Sequence, residues 1–423
     1  MNRKLAILAI LAALSVHPGV AQQDPPPLQL DELVTEGLRN NPDVQAAKER
    51  WTAARQRGSQ VGAWEDPMVS YTRWISTPET RVGPQENAFM ISQRIPFPGK
   101  LGAMETMADE DAFGAGARYD IGRRDIVFKI ENTYYDLYTI DQSLRILDHY
   151  LDLLKDFSKV AAERYSTGDG IQANVLKSQV EISNILERRL GFRKMRASAA
   201  ARLNALLNRP EGTPVGEAIA MDTSRVSVDD TSLVAQALDR RQELLSAKAM
   251  IRKSEAMSRF ARLDYLPNFT VQFTYITIPK PATSMAADAG KDPYGISLGI
   301  NLPLQFGKRA AAVEEAEATT RASTLNQKNM ENMVRAEIED ITFQLQTSGK
   351  TLDLYKTGLI VQAESSLESA LSAYRTGKMD FLNLLDAERM LLQVRLGYVR
   401  EQASYRKLAA ALERAIGGRE DLR

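Results

Sequence analysis

The sequence predicts an α+β chain, mostly α, built from duplicated long-helix coiled-coil hairpins with four β-strands per chain. Three observations predict it. Tyr165-Ser166-Thr167-Gly168, followed by Asn174-Val175-Leu176, recurs as Tyr374-Arg375-Thr376-Gly377, followed by Asn383-Leu384-Leu385, at an offset of 209 residues. Apolar residues hold a helical period across long stretches without proline. Between those stretches the period changes to two, as in strands.

The chain opens with Met1-Asn2-Arg3-Lys4 and an apolar run from Leu5 to Val16, and Gly19-Val20-Ala21 offers the small residues of a cleavage site. Residues 1–21 therefore read as a secretory signal peptide. A first structural repeat over 22–210, a linker over 211–230, a second repeat over 231–417 and a tail over 418–423 follow. The halves share further landmarks. Leu38, Asp43, Ala47 and Lys48 answer to Leu238, Glu243, Ala247 and Lys248, and Pro67 answers to Pro267. Ile95-Pro96-Phe97 with Gly99-Lys100 answers to Leu302-Pro303-Leu304 with Gly307-Lys308. A unit this long is a duplicated domain half, since solenoid repeats are much shorter.

The first repeat should begin with a short helix at about Leu30 to Arg39 and another at Pro42 to Trp64, with Asn41 as N-cap and Pro42 at the first helical position. From Leu101 to Ser166 there is no proline, and Ile126, Ile130, Tyr134, Leu137, Leu144, Leu147, Leu151 and Leu154 recur at helical spacing. That predicts one helix of about 66 residues, roughly 100 Å long. Gly307 to Tyr374 predicts its counterpart. Ile171 to Asn208, Thr231 to Arg240, Arg241 to Asp264 and Met379 to Ile416 complete the set. Two shorter helices laid end to end nearly match one long one, an arrangement that suits coiled-coil packing.

Tyr294 to Leu302 alternates large apolar residues with Gly, Ser and Asn, and Phe269 to Tyr275 alternates likewise. Val69 to Ile75 and Ala88 to Ile95 are weaker versions, and the loops Ser76 to Glu86 and Ile278 to Asp292 would join the strands. Alternation alone fits a soluble sheet or a membrane barrel. The very long flanking helices leave little sequence to cover a sheet, which favours the barrel. Four strands cannot close one, whereas three chains would supply twelve. Phe97 and Lys100, with Phe306 and Lys308, mark the strand-to-helix boundaries as an aromatic residue and a lysine near a membrane surface. Gly168 and Gly377 end the long helices in left-handed turns, so Tyr165, Thr167, Gly168, Tyr374, Thr376 and Gly377 form two exposed tips.

Much chemistry is excluded. The 54 basic and 54 acidic residues become a net charge of about −2 once Arg3 and Lys4 are removed, which gives no electrostatic case for nucleic acid. There is no cysteine, and beyond His17 in the signal the sole histidine is His149, so neither a zinc site nor a catalytic triad can be assembled. Gly99-Lys100-Leu101 lacks the earlier glycine and the following Ser or Thr of a phosphate-binding loop. Met104, Met107, Met330 and Met333 could ligate a soft metal, but methionine at helical spacing reads as packing. No cofactor, metal site or enzyme is expected.

The duplicated order of short helices, hairpin, long helix, Tyr-x-Thr-Gly turn and shorter helix resembles the TolC-type outer-membrane efflux family over about Leu28 to Gly417. Gln93-Arg94-Ile95-Pro96-Phe97-Pro98-Gly99-Lys100 resembles the branch serving heavy-metal cation pumps. The resemblance implies a homotrimer with a trimeric 12-stranded barrel in outer-membrane lipid and a 12-helix periplasmic tunnel. It also implies docking of the tips to a periplasmic adaptor (membrane fusion protein) and an inner-membrane pump of the RND type. Asp386, twelve residues past Tyr374, matches an acidic gate position of the family, whereas Asn383, nine past it, departs from the two-acid pattern. Beside a gate role, Asp386 also fits a plain solvated helix residue. Lacking cysteine, the chain cannot be acylated as some metal-branch members are. An efflux duct with another client, such as drugs or a secreted protein, and an exported coiled-coil scaffold are the competing readings.

Overall fold

A computed structural model describes residues 25–219, 221, 230–280 and 287–418. The predicted signal peptide, most of the tail, and parts of the linker and second strand-joining loop lie outside the described residues. The first half carries α1 (Leu30–Asn40), α2 (Pro42–Arg55), α3 (Arg57–Val61), β1 (Met68–Arg73), β2 (Glu79–Thr80), β3 (Gly83–Pro84), β4 (Asn87–Ile95), α4 (Lys100–Ser166) and α5 (Gln172–Leu206). The second carries α6 (Asp230–Arg240), α7 (Gln242–Leu263), β5 (Phe269–Thr277), β6 (Tyr294–Ile300), α8 (Phe306–Leu354), a π-helical turn (Tyr355–Leu359), α9 (Ile360–Arg375) and α10 (Phe381–Ala415).

Asn41 caps α2 as expected, its side-chain oxygen accepting from the amides of Asp43 at 3.0 Å and Val44 at 3.3 Å. Its amide nitrogen also donates to the Leu206 carbonyl at 2.9 Å, pinning the α1–α2 corner to the end of α5. Three expectations are corrected. The helix starting at Pro42 breaks after Arg55 and resumes as α3. The loop after β1 holds a small hairpin, β2–β3, braced to the second loop by an Arg81–Asp288 ion pair at 2.5 Å. The second long helix, expected to run unbroken to Tyr374, is interrupted at Tyr355–Leu359 by the π turn.

α4, at 67 residues, is the strut on which the rest is laid. On the half nearer the sheet it packs against α2, α3 and α7; on the opposite half, against α5 and α10. α8 packs on α7 and α10, and α9 on α10. Three apolar cores result. One joins Ile130 and Leu137 of α4 with Leu33 of α1, Val44 of α2 and Leu203 of α5. A second, toward the tips, joins Leu147 and Leu154 with Ile185 of α5 and Phe381 and Leu384 of α10. The third joins Leu244 of α7 and Ile338 and Leu345 of α8 with Tyr405 and Leu412 of α10.

The four long strands form one antiparallel sheet in the order β1-β4-β5-β6, with β1 and β6 as edges. Register stacks like on like. Tyr71, Phe89, Tyr275 and Tyr294 lie in one row across all four strands, and Val69, Ile91, Phe273 and Ile296 lie in the next. Gln93, Val271 and Leu298, then Ile95, Phe269 and Ile300, continue that face. The opposite face carries Ser70, Ser92, Thr270, Gln272, Thr274, Gly295, Ser297 and Gly299. Every residue of β6 is exposed, so neither face of that edge is covered.

Leu154 is fully buried between α4, α5 and α10. Leu154→Ala should lower the unfolding free energy by about 2–5 kcal/mol through lost burial and a residual cavity. Circular dichroism during thermal unfolding should show a lowered midpoint with unchanged native helix content.

Candidate functional site

The tips are built by the same local device twice. At the first, the Gly168 amide donates to the Tyr165 carbonyl at 3.2 Å and the Asp169 amide to the Arg164 carbonyl at 2.9 Å. At the second, Gly377 donates to Tyr374 at 3.1 Å and Lys378 to Ala373 at 2.9 Å. This is the Schellman pairing, which needs a left-handed residue after the helix; Gly168 has φ +83° and Gly377 +75°. Thr167 and Thr376 return their hydroxyls to carbonyls of the preceding turn.

The two motif tyrosines differ in environment. Tyr165 is half-exposed, whereas Tyr374 is buried against Phe381, with ring centroids 5.5 Å apart. Arg164 reaches from the first tip to the second: its guanidinium lies 5.1 Å from the centre of the Tyr374 ring and donates to the Tyr374 carbonyl at 2.9 Å. Asp380 caps α10, accepting from the Asn383 amide at 3.0 Å. Asn383 and Asp386 follow on an exposed face of α10, three residues apart. Asp386 stays largely in solvent, 3.4 Å from an Arg389 nitrogen.

Behind that exposed face lies a charged cluster between three helices. Arg389 of α10 donates to Glu181 of α5 at 2.6 Å, and that bond holds the Glu181 carboxyl below its usual range. Glu388 of α10 is fully buried and neither carboxyl oxygen has a hydrogen-bond partner. Burial, and next the Glu181 charge, push its pKa up to about 8 against the opposing pull of Arg389. The Tyr150 hydroxyl of α4 is also buried without a partner, and burial raises its pKa. Near neutral pH Glu388 is therefore mostly protonated, since an ionised carboxyl there would be desolvated beside a second one.

At the other end, Lys100 and Lys308 part company. Lys100 is buried, with its ammonium 3.0 Å from both the Leu266 carbonyl and the Asn268 side-chain oxygen and 3.3 Å from Asp264. It ties the start of α4 to the connection into β5 instead of facing outward. Lys308 is exposed, and its neighbour Arg309 converges on Asp264, donating to the backbone carbonyl at 2.8 Å. Phe97 stacks on Phe269 at 6.4 Å, and Phe306 is exposed. Trp64, just before β1 and also exposed, belongs with these boundary aromatics.

Sequence reasoning brought out the tips but missed Arg164, Glu181, Glu388 and Arg389. One signal was available: Glu388 falls three and four residues from Leu385, Leu384, Leu391 and Leu392, so the helical period alone assigns it a core position. Among the described residues no cluster of His, Cys, Asp and Glu could hold a metal ion, and no helix is long and apolar enough to cross a membrane.

The family model described as "Outer membrane efflux protein" matches residues 33–209 and 233–418. Nodulation protein T of Rhizobium leguminosarum bv. trifolii is 21% identical over 92% of this chain and 85% of its own length. The cobalt-zinc-cadmium resistance protein CzcC of Cupriavidus metallidurans is 21% identical over 95% of this chain and 93% of its own. Among solved structures, the outer-membrane channel OprN superposes with a TM-score of 0.79 at 17% identity, covering 92% of this chain and 90% of that one.

The cluster sets a pH dependence. Because the folded pKa of Glu388 lies above the ordinary 4.5, the unfolded chain releases this proton first. Glu388 therefore costs stability progressively as pH rises from about 4.5 to about 8, and the penalty is constant above that. Glu388→Gln should raise the thermal midpoint at pH 9 and leave it nearly unchanged at pH 4. Equal shifts at both pH values would assign Glu388 a packing role alone.

Proposed function

The chain belongs to the outer membrane efflux protein family, and from that premise we propose that it is the outer-membrane channel component of a tripartite efflux pump, a passive exit duct. Three copies join edge β6 of one to β1 of the next, giving twelve strands whose apolar rows face outer-membrane lipid and whose polar face lines water. The single observation that carries this reading is the sheet itself: two-faced, uncovered at β6 and open at both edges. A sheet of that kind is stable in lipid only when closed, because no water is there to satisfy its edge groups. The four rows span about 20 Å along a strand, near the height of a barrel's apolar band, with an aromatic row toward the loops.

The helices extend into the periplasm of a Gram-negative-type cell as a twelve-helix tunnel, and the tips meet a periplasmic adaptor that links the duct to an inner-membrane pump. A Cβ on Gly168 would meet no atom within 4 Å, and one on Gly377 only the Arg164 guanidinium at 3.7 Å. Both tips therefore present backbone to a partner at close range. The pump supplies the energy. Heavy-metal cations are the proposed cargo, supported by the likeness to a cobalt-zinc-cadmium resistance protein. Three copies of Asp386 near the axis, with Asn383 one turn nearer the tip, form a cation-attracting gate.

The first test is whether mature protein extracted from outer membranes in mild detergent runs as a trimer and conducts ions in a planar bilayer. A conducting trimer is expected; a soluble, non-conducting species would return the scaffold reading. In the same bilayers Asp386→Ala should weaken block by divalent cations, and unchanged block would remove Asp386 from the gate. Gly168→Phe with Gly377→Phe should abolish export in cells while trimers persist. Undiminished metal resistance in that double variant would argue against docking at these turns.

A further inference from the structure

α10 turns two faces to different surroundings. Leu384, Leu385 and Leu392 are buried in the core toward the tips, with Glu388 on the same side. The opposite face presents Asn383, Asp386, Met390 and Gln393, all exposed. A helix turns about 100° per residue, so spacings of three, four and three residues keep these four within about 80° of arc, a single stripe running from the tip along the helix. Any face that Asn383 and Asp386 present, Met390 presents too.

Met390 is out of character on this stripe. Its companions are two amides and a carboxylate, whereas Met390 is an apolar side chain left 56% exposed. Among the described residues the only other exposed large apolar side chain of α10 is Leu382. The methionines that the sequence offered as soft-metal ligands are placed differently. Met104, Met107 and Met330 are half-buried, and the sulfur of Met333 accepts from the Asn329 amide at 3.7 Å. Asp386 and Met390, four residues apart, lie one above the other, with a rise of about 6 Å between them. Arg389 lies to the side of the stripe, bonded to Glu181 at 2.6 Å. A single chain supplies one carboxylate and one thioether here, so a ligand set is complete only where copies meet.

We propose that Met390 is a specificity-determining residue of the gate: three copies set a ring of thioethers one turn farther from the tip than the Asp386 ring, and the two rings together pass soft monovalent cations, Cu(I) and its analogue Ag(I). The inference rests on the channel reading and narrows its cargo from heavy-metal cations at large to this class. Carboxylates draw in cations of every kind. Thioether sulfur is uncharged and polarisable, so it holds an ion that exchanges water for sulfur readily, as Cu(I) and Ag(I) do, and ignores Mg(II) or Ca(II), which take oxygen. Two successive weak sites also suit a duct, since an ion must be held firmly enough to enter and loosely enough to leave.

The test places the protein in planar bilayers in potassium nitrate, with silver nitrate and magnesium nitrate as probes. Met390→Leu keeps the side chain's size and removes its sulfur. It should raise the silver concentration for half block about tenfold and leave block by magnesium unchanged. Unchanged silver block, or an equal shift for both ions, would overturn the assignment. A second readout needs no current. A methionine-selective oxaziridine modifies exposed thioethers of the unaltered protein in mild detergent, and peptide mass spectrometry follows each residue. Silver nitrate should protect Met390 at concentrations about tenfold below those that protect Met68 and Met333, which are comparably exposed within the chain but have no acidic ring beside them. Protection of all three at one concentration would overturn the proposal. Channels that conduct but block with silver regardless of residue 390 would remove this site and leave the duct standing. Selective protection of Met390 in a protein that never conducts would keep the thioether site and count against the duct alone.

Discussion

Two sheet edges with no strand partner among the described residues, β1 and β6, constrain everything else. Each strand of the sheet carries a row of backbone donors and acceptors that must be satisfied, and every residue of β6, on either face, is exposed with no core behind it. In water such an edge invites aggregation; in lipid it is untenable. The apolar rows call for an apolar cover on one face, whereas Gln272, Thr274 and Ser297 favour water on the other. The proposed closed ring shared between copies would satisfy both requirements. A sheet with so little of its own core needs stiff, well-packed elements at its base, which the Lys100, Asp264 and Arg309 contacts fasten to α4, α7 and α8.

The helical part solves a different problem. α4 runs unbroken through two cores, while the second hairpin contributes to one core on the side of the sheet and one on the side of the tips. On the tip side the second hairpin is joined to α4 and α5 by apolar packing around Phe381 and by polar ties, with the buried Glu388 carboxyl, its pKa raised, among them. Burying Glu388 without a partner is costly compared with a leucine of similar size. The arrangement makes the stability of the tip sensitive to the acidity of its surroundings.

Much of this was legible in the sequence, and the parts that were not have physical reasons. The long helices announced themselves because an apolar stripe at a helical period needs no tertiary context. The cap at Asn41 and the turns at Gly168 and Gly377 depend on local backbone chemistry. The strand faces were also local, but the aromatic row of Tyr71, Phe89, Tyr275 and Tyr294 needed the register between four strands. Lys100 and Lys308 looked equivalent because their neighbours repeat, yet only Lys100 meets acceptors, since its position opposes Asn268. The tip cluster joins residues as far apart as Glu181 and Arg389, a distance no local pattern spans. The π turn had left a trace, one more residue between Lys308 and Tyr374 than between Lys100 and Tyr165, which becomes meaningful only when both helices are laid side by side.

The claim at the centre of the account is that β6 of one copy pairs with β1 of the next. Cysteines placed at Ser70 in β1 and, one at a time, at Gly295, Ser297 and Gly299 in β6 test it directly, since the chain has none of its own. After mild oxidation in outer membranes, at least one pair should give a covalently closed trimer on denaturing gels. Monomers alone at every pairing would contradict the shared barrel.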